Sequence, residues 1–436
     1  MIEIFYIIAQ ILFILAIAYF PIILFENNVY FNSLKFNLLD KLSINLIFFM
    51  NLLFLTSILN INTYNILYIY FFIIILFFIL NFKNFNFNKF KINYFLISLL
   101  IFIFLISIDI ADQLFFSWDT KTNWFFKALN FFQNQDIKNL KEFNNFDYPH
   151  LGSFIWSFFW QFPFESYEYL GRIFYVFLYV LSIFSISNCL KLEIYEKIIF
   201  SILLIFITYN YKLFSGLQDV VIFSVILLFS RFSFIIFQKS YKINNTLIIL
   251  IMLGVFNVLC WIKNEGIFYG LFLLISLAIT YSFSKRDKLL ILFGSIIILS
   301  LRLFLFNYYN TELNPGYFEM EKTLEFDLIL IFYKLKTITF YSFIYLTQNP
   351  IYFLTIPLLI FIVFKYPIKN ITRFILYFLF LNIVFIYFTY ALKMTEVELL
   401  IKASMSRVIF QTSGIYFLAI VIYVNNYAKF FNFVKK

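Results

Sequence analysis

The chain has 436 residues, 63% of them hydrophobic and 13% charged, with a formal net charge of +10. A soluble domain carries about 45–50% apolar and about 25% charged residues, so this composition excludes a water-soluble surface and indicates a polytopic membrane protein. The positive charge does not point to nucleic acid, because the basic residues collect in short loops, as the positive-inside rule requires.

Apolar runs of about 20 residues, each able to cross roughly 30 Å of hydrocarbon, recur from end to end. They fall at 4–24, 44–60, 64–82, 93–109, 170–188, 197–210, 219–237, 246–262, 266–283, 289–307, 350–364, 374–393 and 406–424. The first run lacks a basic leader and a small-residue cleavage site and is expected to be a retained span. Five basic segments mark the cytoplasmic side: Lys83, Lys89 and Lys91; Lys239 and Lys242; Lys285, Arg286 and Lys288; Lys365, Lys369 and Arg373; and Lys429, Lys435 and Lys436. They share one side only if two further apolar stretches, 150–163 and 328–347, do not cross. The first is short and opens on Tyr148-Pro149-His150. The second contains Lys334 and Lys336, and a central lysine costs about 2.5–3.5 kcal/mol on insertion scales. Both are expected at the outer interface, as amphipathic or re-entrant helices. The fold class is therefore all-α, a polytopic transmembrane bundle of about 13 spans. No soluble domain, long linker or tandem repeat interrupts it.

Polar residues gather on the predicted outer face. In SWDTKTNWFFKA (117–128), helical spacing puts Asp119, Asn123 and Lys127 on one face. Ser117 is a candidate cap, and Trp118 and Trp124 suit an interface. A capped interfacial helix would account for the same pattern. FDYPHLGSF (146–154) holds Asp147, in a predicted turn, Tyr148 and the only histidine, His150. SGLQDV (215–220) sets Asp219 at the start of a span. WIKNEG (261–266) places Lys263, Asn264 and Glu265 in a connection too short to leave the membrane surface. Ionisable groups at that depth read as a site or a self-satisfied network. SMSRVIFQ (404–411) brings Arg407, whose planar fork suits a phosphate, although a snorkelling arginine would look alike. The 308–327 loop carries Glu312, Glu319, Glu321, Glu325 and Asp327 against Lys322 alone. Cys189 and Cys260 are far apart, so with one histidine they compose neither a disulfide framework nor a His/Cys metal centre. Together the outer residues supply a carboxylate for general-base work and cations for a leaving phosphate.

The order W-D-x-x-x-x-W-x-x-K-A, D-Y-P-x-L, an aspartate opening a later span, K-N-E-G and a late S-R resembles bacterial integral-membrane glycosyltransferases of the GT-C fold. The likeness covers roughly residues 93–424; residues 1–92 look like a three-span addition before a catalytic membrane domain at 93–436. It implies a polyprenyl-phosphate sugar as donor, a lipid-linked or cell-surface glycan as acceptor, and a site on the outer face of the bacterial inner membrane. It implies Asp119 as catalytic base, with Asp112 a weaker candidate. Lys263 and Arg407 would hold the lipid-linked phosphate, Asp219 and Glu265 would shape the site, and Asn123, Lys127, Tyr148 and His150 complete the substrate-binding set. Family members often have two adjacent acidic residues in this loop and this chain has one, so no cofactor is certain, and a divalent metal is left open but is not indicated. Membrane lipids are the remaining partners expected, and nucleic acid is not. Two rivals fit less well. An O-antigen-type polymerase or ligase would place arginines and a histidine in a large late loop. A lipid-linked glycan transporter or flippase would need mid-membrane charges and Gly/Pro-broken repeats, and the chain has nine Gly and seven Pro.

Overall fold

The computed structural model describes residues 2–25, 36–81, 93–142, 148–165, 167–238, 245–309, 328–391 and 397–434. Asp147, the acidic 310–327 segment and the basic Lys83, Lys89, Lys91, Lys239, Lys242, Lys435 and Lys436 lie outside the described residues. Among the described residues every regular element is helical. The chain opens with α1 (Ile2–Phe25), α2 (Leu38–Ile58) and α3 (Thr63–Asn81), followed by α4 (Tyr94–Gln113). A π-helical turn, Thr120–Trp124, runs directly into α5 (Phe125–Phe132), and a 3₁₀ turn, Ile137–Glu142, precedes α6 (Leu151–Gln161). Then come α7 (Tyr169–Ser187), α8 (Ile194–Thr208), α9 (Asp219–Phe237), α10 (Asn245–Ile262), α11 (Glu265–Thr280) and α12 (Lys285–Tyr308). The C-terminal part holds α13 (Leu328–Gln348), α14 (Pro350–Lys365), α15 (Asn370–Ala391), α16 (Val397–Ser413) and α17 (Phe417–Val434).

Local chemistry starts these helices where the apolar runs begin. Asn37 accepts the Asp40 N–H at 2.8 Å while Asp40 accepts the Asn37 N–H at 3.1 Å, a reciprocal cap for α2. Ser284 caps α12 through the Asp287 N–H. Asn349 caps α14, with Pro350 in its first turn, where a missing N–H costs nothing.

Within the described residues, all thirteen apolar runs expected to span are helical over most of their length. Nine helices among the described residues are long and apolar enough to cross a membrane, or ten if one bent pair counts as a single span. The others are shorter: α8, α11 and α14 have 15, 16 and 16 residues, and the described apolar part of α3 is Thr63–Leu76. At about 1.5 Å per residue, 15 or 16 residues reach only about 24 Å. The bent pair is α13 and α14, which meet at 96°. In α13, Lys334 is buried and donates to the Ala391 carbonyl at 3.2 Å, while Lys336 stays exposed. The 150–163 stretch departs from an amphipathic surface helix. Apart from Trp160, every residue of α6 is buried, wedged among α2, α5 and α7. Between the 374–393 and 406–424 runs the chain is helical from Val397 onward.

The core lies along α7 and α9. All of α7 is buried and 89% of α9, against 17% of α12, which presents Leu303 and Phe304 outward. Serines let the central helices approach closely. Ser187, Ser224 and Ser230 return their hydroxyls to carbonyls one turn back, and Ser43 meets Ser185 at 3.2 Å between α2 and α7. The first three helices belong to the same packed body, with α1 against α4 and α7 and α2 against α6 and α10.

Candidate functional site

Two polar centres occupy opposite ends of this bundle. α2 runs from Asp40, which meets Arg231 near the end of α9, to Ser57, which meets His150. α9 runs the other way, from Asp219 to Arg231, so Asp219 and Ser57 lie at the same end. That end gathers the residues expected on the outer face.

Asp219 occupies the first turn of α9 and is 1% exposed. The turn before it depends on Gly216, at φ +89°, where a Cβ would also strike the Trp156 ring. Asp219 Oδ1 accepts from Lys263 Nζ at 3.0 Å and from the Gln411 side-chain amide. Lys263 Nζ also lies 3.7 Å from Glu265, in the first turn of α11. The link from α10 to α11 is tight because Gly266 packs on the Leu259 carbonyl, where any Cβ would collide. This contact explains why glycine closes K-N-E-G. Burial alone would lower the Lys263 ammonium, but the Asp219 and Glu265 carboxylates raise it above the ordinary lysine value and keep it charged.

Arg407, on α16, forms an ion pair with Asp119, both about 30% exposed, at 30% and 28%. Gln411 lies one turn along α16 from Arg407 and joins this open pair to the buried Asp219. Three carboxylates thus face two cations. Among the described residues, Asp219 Oδ2, Glu265 Oε2, Gln411 Oε1 and the Tyr269 hydroxyl are buried without a hydrogen-bond partner. Leaving a buried polar group unsatisfied costs about 1–3 kcal/mol, which a ligand's hydroxyls can recover. The open pair can meet an anion through Arg407 and present the Asp119 carboxylate to an attacking hydroxyl. No trio of His, Cys, Asp or Glu close enough to hold a metal ion occurs among the described residues.

The 117–128 segment departs from a single polar stripe. Ser117 caps it through the Thr120 N–H, as expected. The π turn then shifts the register, because its hydrogen bonds span five residues rather than four. Asp119 turns to α16, whereas Lys127 is fully buried and donates to the Tyr148 carbonyl at 2.7 Å, near the Trp124 and Tyr148 rings. Asn123 is buried between them at 9% exposure. Trp118 is 75% exposed and Trp124 only 2%. Asp112 is exposed at the end of α4, and its neighbour Asp109 accepts from Tyr209 and from Gln113.

His150 is 5% exposed, with Nε2 2.8 Å from the Ser57 hydroxyl and its ring among Phe54, Phe131 and Trp261. Burial, followed by the positive charges of Lys127 and Arg302, lowers its imidazole to about 3, so it is neutral. The structure thus unites Asp119, Asp219, Lys263, Glu265 and Arg407, and seats Lys127, Tyr148 and His150 in an adjoining wall. Two contributors are not among the residues singled out from the sequence. Gln411 is the last residue of SMSRVIFQ, and its spacing from Arg407 was the available signal. Arg302 is buried on the Trp261 ring, at 5.4 Å, and donates to Asn264. As the one cation inside the 289–307 apolar run, it carried a signal of its own.

Compared with family models, curated proteins and solved structures, the chain matches none.

Proposed function

We propose that the protein is a membrane glycosyltransferase of GT-C type, with about 13 spans and its site on the outer face of a bacterial inner membrane. It moves a sugar from a polyprenyl-phosphate donor to a lipid-linked or cell-surface glycan. The single observation that carries this reading is the open Asp119–Arg407 pair standing on the buried Asp219–Lys263–Glu265 cluster. The donor phosphate competes with Asp119 for Arg407. Once Arg407 turns to the phosphate, the Asp119 carboxylate is released to take the proton of the acceptor hydroxyl. The acceptor oxygen bonds to the anomeric carbon as the bond to the phosphate oxygen breaks, inverting the centre. Polyprenyl phosphate leaves with the electron pair, and Arg407 and Lys263 meet its charge. The unpartnered oxygens of Asp219, Glu265 and Gln411 receive sugar hydroxyls.

The test is transfer from radiolabelled polyprenyl-phosphate sugars to a membrane lipid fraction. Asp119→Asn is expected to lower transfer by about 10²–10⁴-fold, the usual contribution of a general base, with thermal unfolding unchanged. Full transfer by a well-folded Asp119→Asn protein would overturn the reading.

A further inference from the structure

On the far side of the His150 wall lies a small, open cleft of about 60 Å³. Its polar rim is Asn60, Asn62, Thr63, Asn134, Gln135 and Asp136, over the Phe131 and Phe154 rings. One side comes from the turn between α2 and α3, and the other from the turn after α5. Both turns are held in shape by asparagines in the left-handed region, Asn60 at φ 51° and Asn134 at φ 57°. Thr63 ties the two sides together, bonding to Gln161 and, at 3.3 Å, to Asn134. Gln161 in turn donates to the Phe132 carbonyl at 2.7 Å.

The lining decides the chemistry. Amides and a hydroxyl both donate and accept, and suit a ligand with many hydroxyl groups. Phe131 and Phe154 close the cleft on its inner side, at 3% and 4% exposure. The lining holds no lysine, arginine or histidine and does hold one carboxylate, which disfavours a phosphate or an acidic headgroup. Ser57 lines the cleft and bonds to His150, whose ring centroid is 5.6 Å from that of Trp261, two residues before Lys263. The cleft and the charged cluster therefore back onto opposite faces of one wall.

We propose that this cleft is a second subsite that binds a neutral sugar unit of the acceptor glycan, and that α2 and α3 supply half of it. The inference rests on the glycosyltransferase reading for the word acceptor, but not for the binding itself. It gives the N-terminal helices a task that the catalytic residues do not.

The test is direct binding by the full chain in lipid nanodiscs, followed by saturation-transfer NMR. The probes are maltose, lactose and N,N′-diacetylchitobiose, with glucose 1-phosphate as the charged control. Binding of at least one neutral disaccharide in preference to the phosphate is expected. Asn134→Gly keeps the left-handed turn while removing the amide, and Gln135→Ala removes an exposed one. Each is expected to weaken that binding about tenfold, the loss of about one hydrogen bond, while Asp119→Asn binds as the wild type does. No binding of any neutral probe, equal binding of glucose 1-phosphate, or binding untouched in both cleft variants would each overturn the subsite. Transfer that is undiminished in Asp119→Asn would sink the catalytic reading alone, because the binding assay does not depend on it.

Discussion

The Asp40–Arg231 pair and the Asp219–Lys263 pair are both buried carboxylate–cation contacts at the ends of α9, yet they are built to different degrees of completion. Arg231 grips Asp40 with two parallel bonds, each 2.8 Å, and turns its remaining nitrogen to Cys189 at 3.3 Å. Asp40 also serves as part of a helix cap. Its oxygens are fully used. Asp219 holds Lys263 and Gln411 through one oxygen and leaves the other without a partner among the described residues, and Glu265 and Gln411 do likewise. A finished pair fixes two helices, whereas an unfinished one is ready to meet something else. Charge, burial and helix position are alike at both ends. What separates the two pairs is the count of hydrogen bonds left over among the described residues.

This contrast can be broken most sharply at the finished end. Asp40→Ala strands the Arg231 guanidinium, and a broken buried pair costs about 3–5 kcal/mol. Chemical unfolding in detergent should show that loss, while transfer per folded molecule stays at the wild-type level. A fall in specific activity without a fall in stability would put the working site at the wrong end. At the unfinished end, Arg407→Lys keeps the charge and loses the fork. Stability should hardly move, because a solvent-reached pair is worth about 0.2–1 kcal/mol. The KM for the lipid donor should rise about 10–100-fold, from losing one charge-assisted hydrogen bond of about 1.5–3 kcal/mol. An unchanged KM would remove Arg407 from phosphate binding.

A third prediction concerns the wall. The unfolded chain protonates His150 near the ordinary value of about 6.5, whereas the folded chain resists until about 3. The stability conferred by the neutral, buried ring is therefore complete above about pH 6.5 and lost as pH falls below it, at about 1.4 kcal/mol per pH unit. His150→Gln should flatten the unfolding curve between pH 6.5 and pH 4 by that slope. If the slopes of the two proteins coincide, the ring is not neutral by burial.

Much of this was legible before the structure. The apolar runs give the major helices, apart from the first half of α16, since a length of hydrocarbon has few other uses. They do not say whether a helix faces lipid or protein, because both demand the same side chains. That is why α6 reads as an interfacial segment and turns out to be enclosed. Asp219, Lys263, Glu265 and Arg407 are legible as a group because charge in an apolar chain needs a reason. The Asp119–Lys127 stripe is not, because it assumes four residues per repeat and the chain inserts a π turn. The partnership of His150 with Ser57 is invisible for another reason: it joins residues 93 positions apart in sequence, and no local pattern encodes it.

That π turn has a consequence for how such a protein can be retuned. It amounts to one extra residue threaded into a helix, and one residue in an α-helix is a rotation of about 100°. The segment before it and the segment after it are therefore geared separately. The carboxylate that faces Arg407 can be aimed by the first gear, while the second stays anchored by Lys127 on the Tyr148 carbonyl. Adding or losing a single residue there redirects the carboxylate and leaves the buried foundation of the loop where it stands.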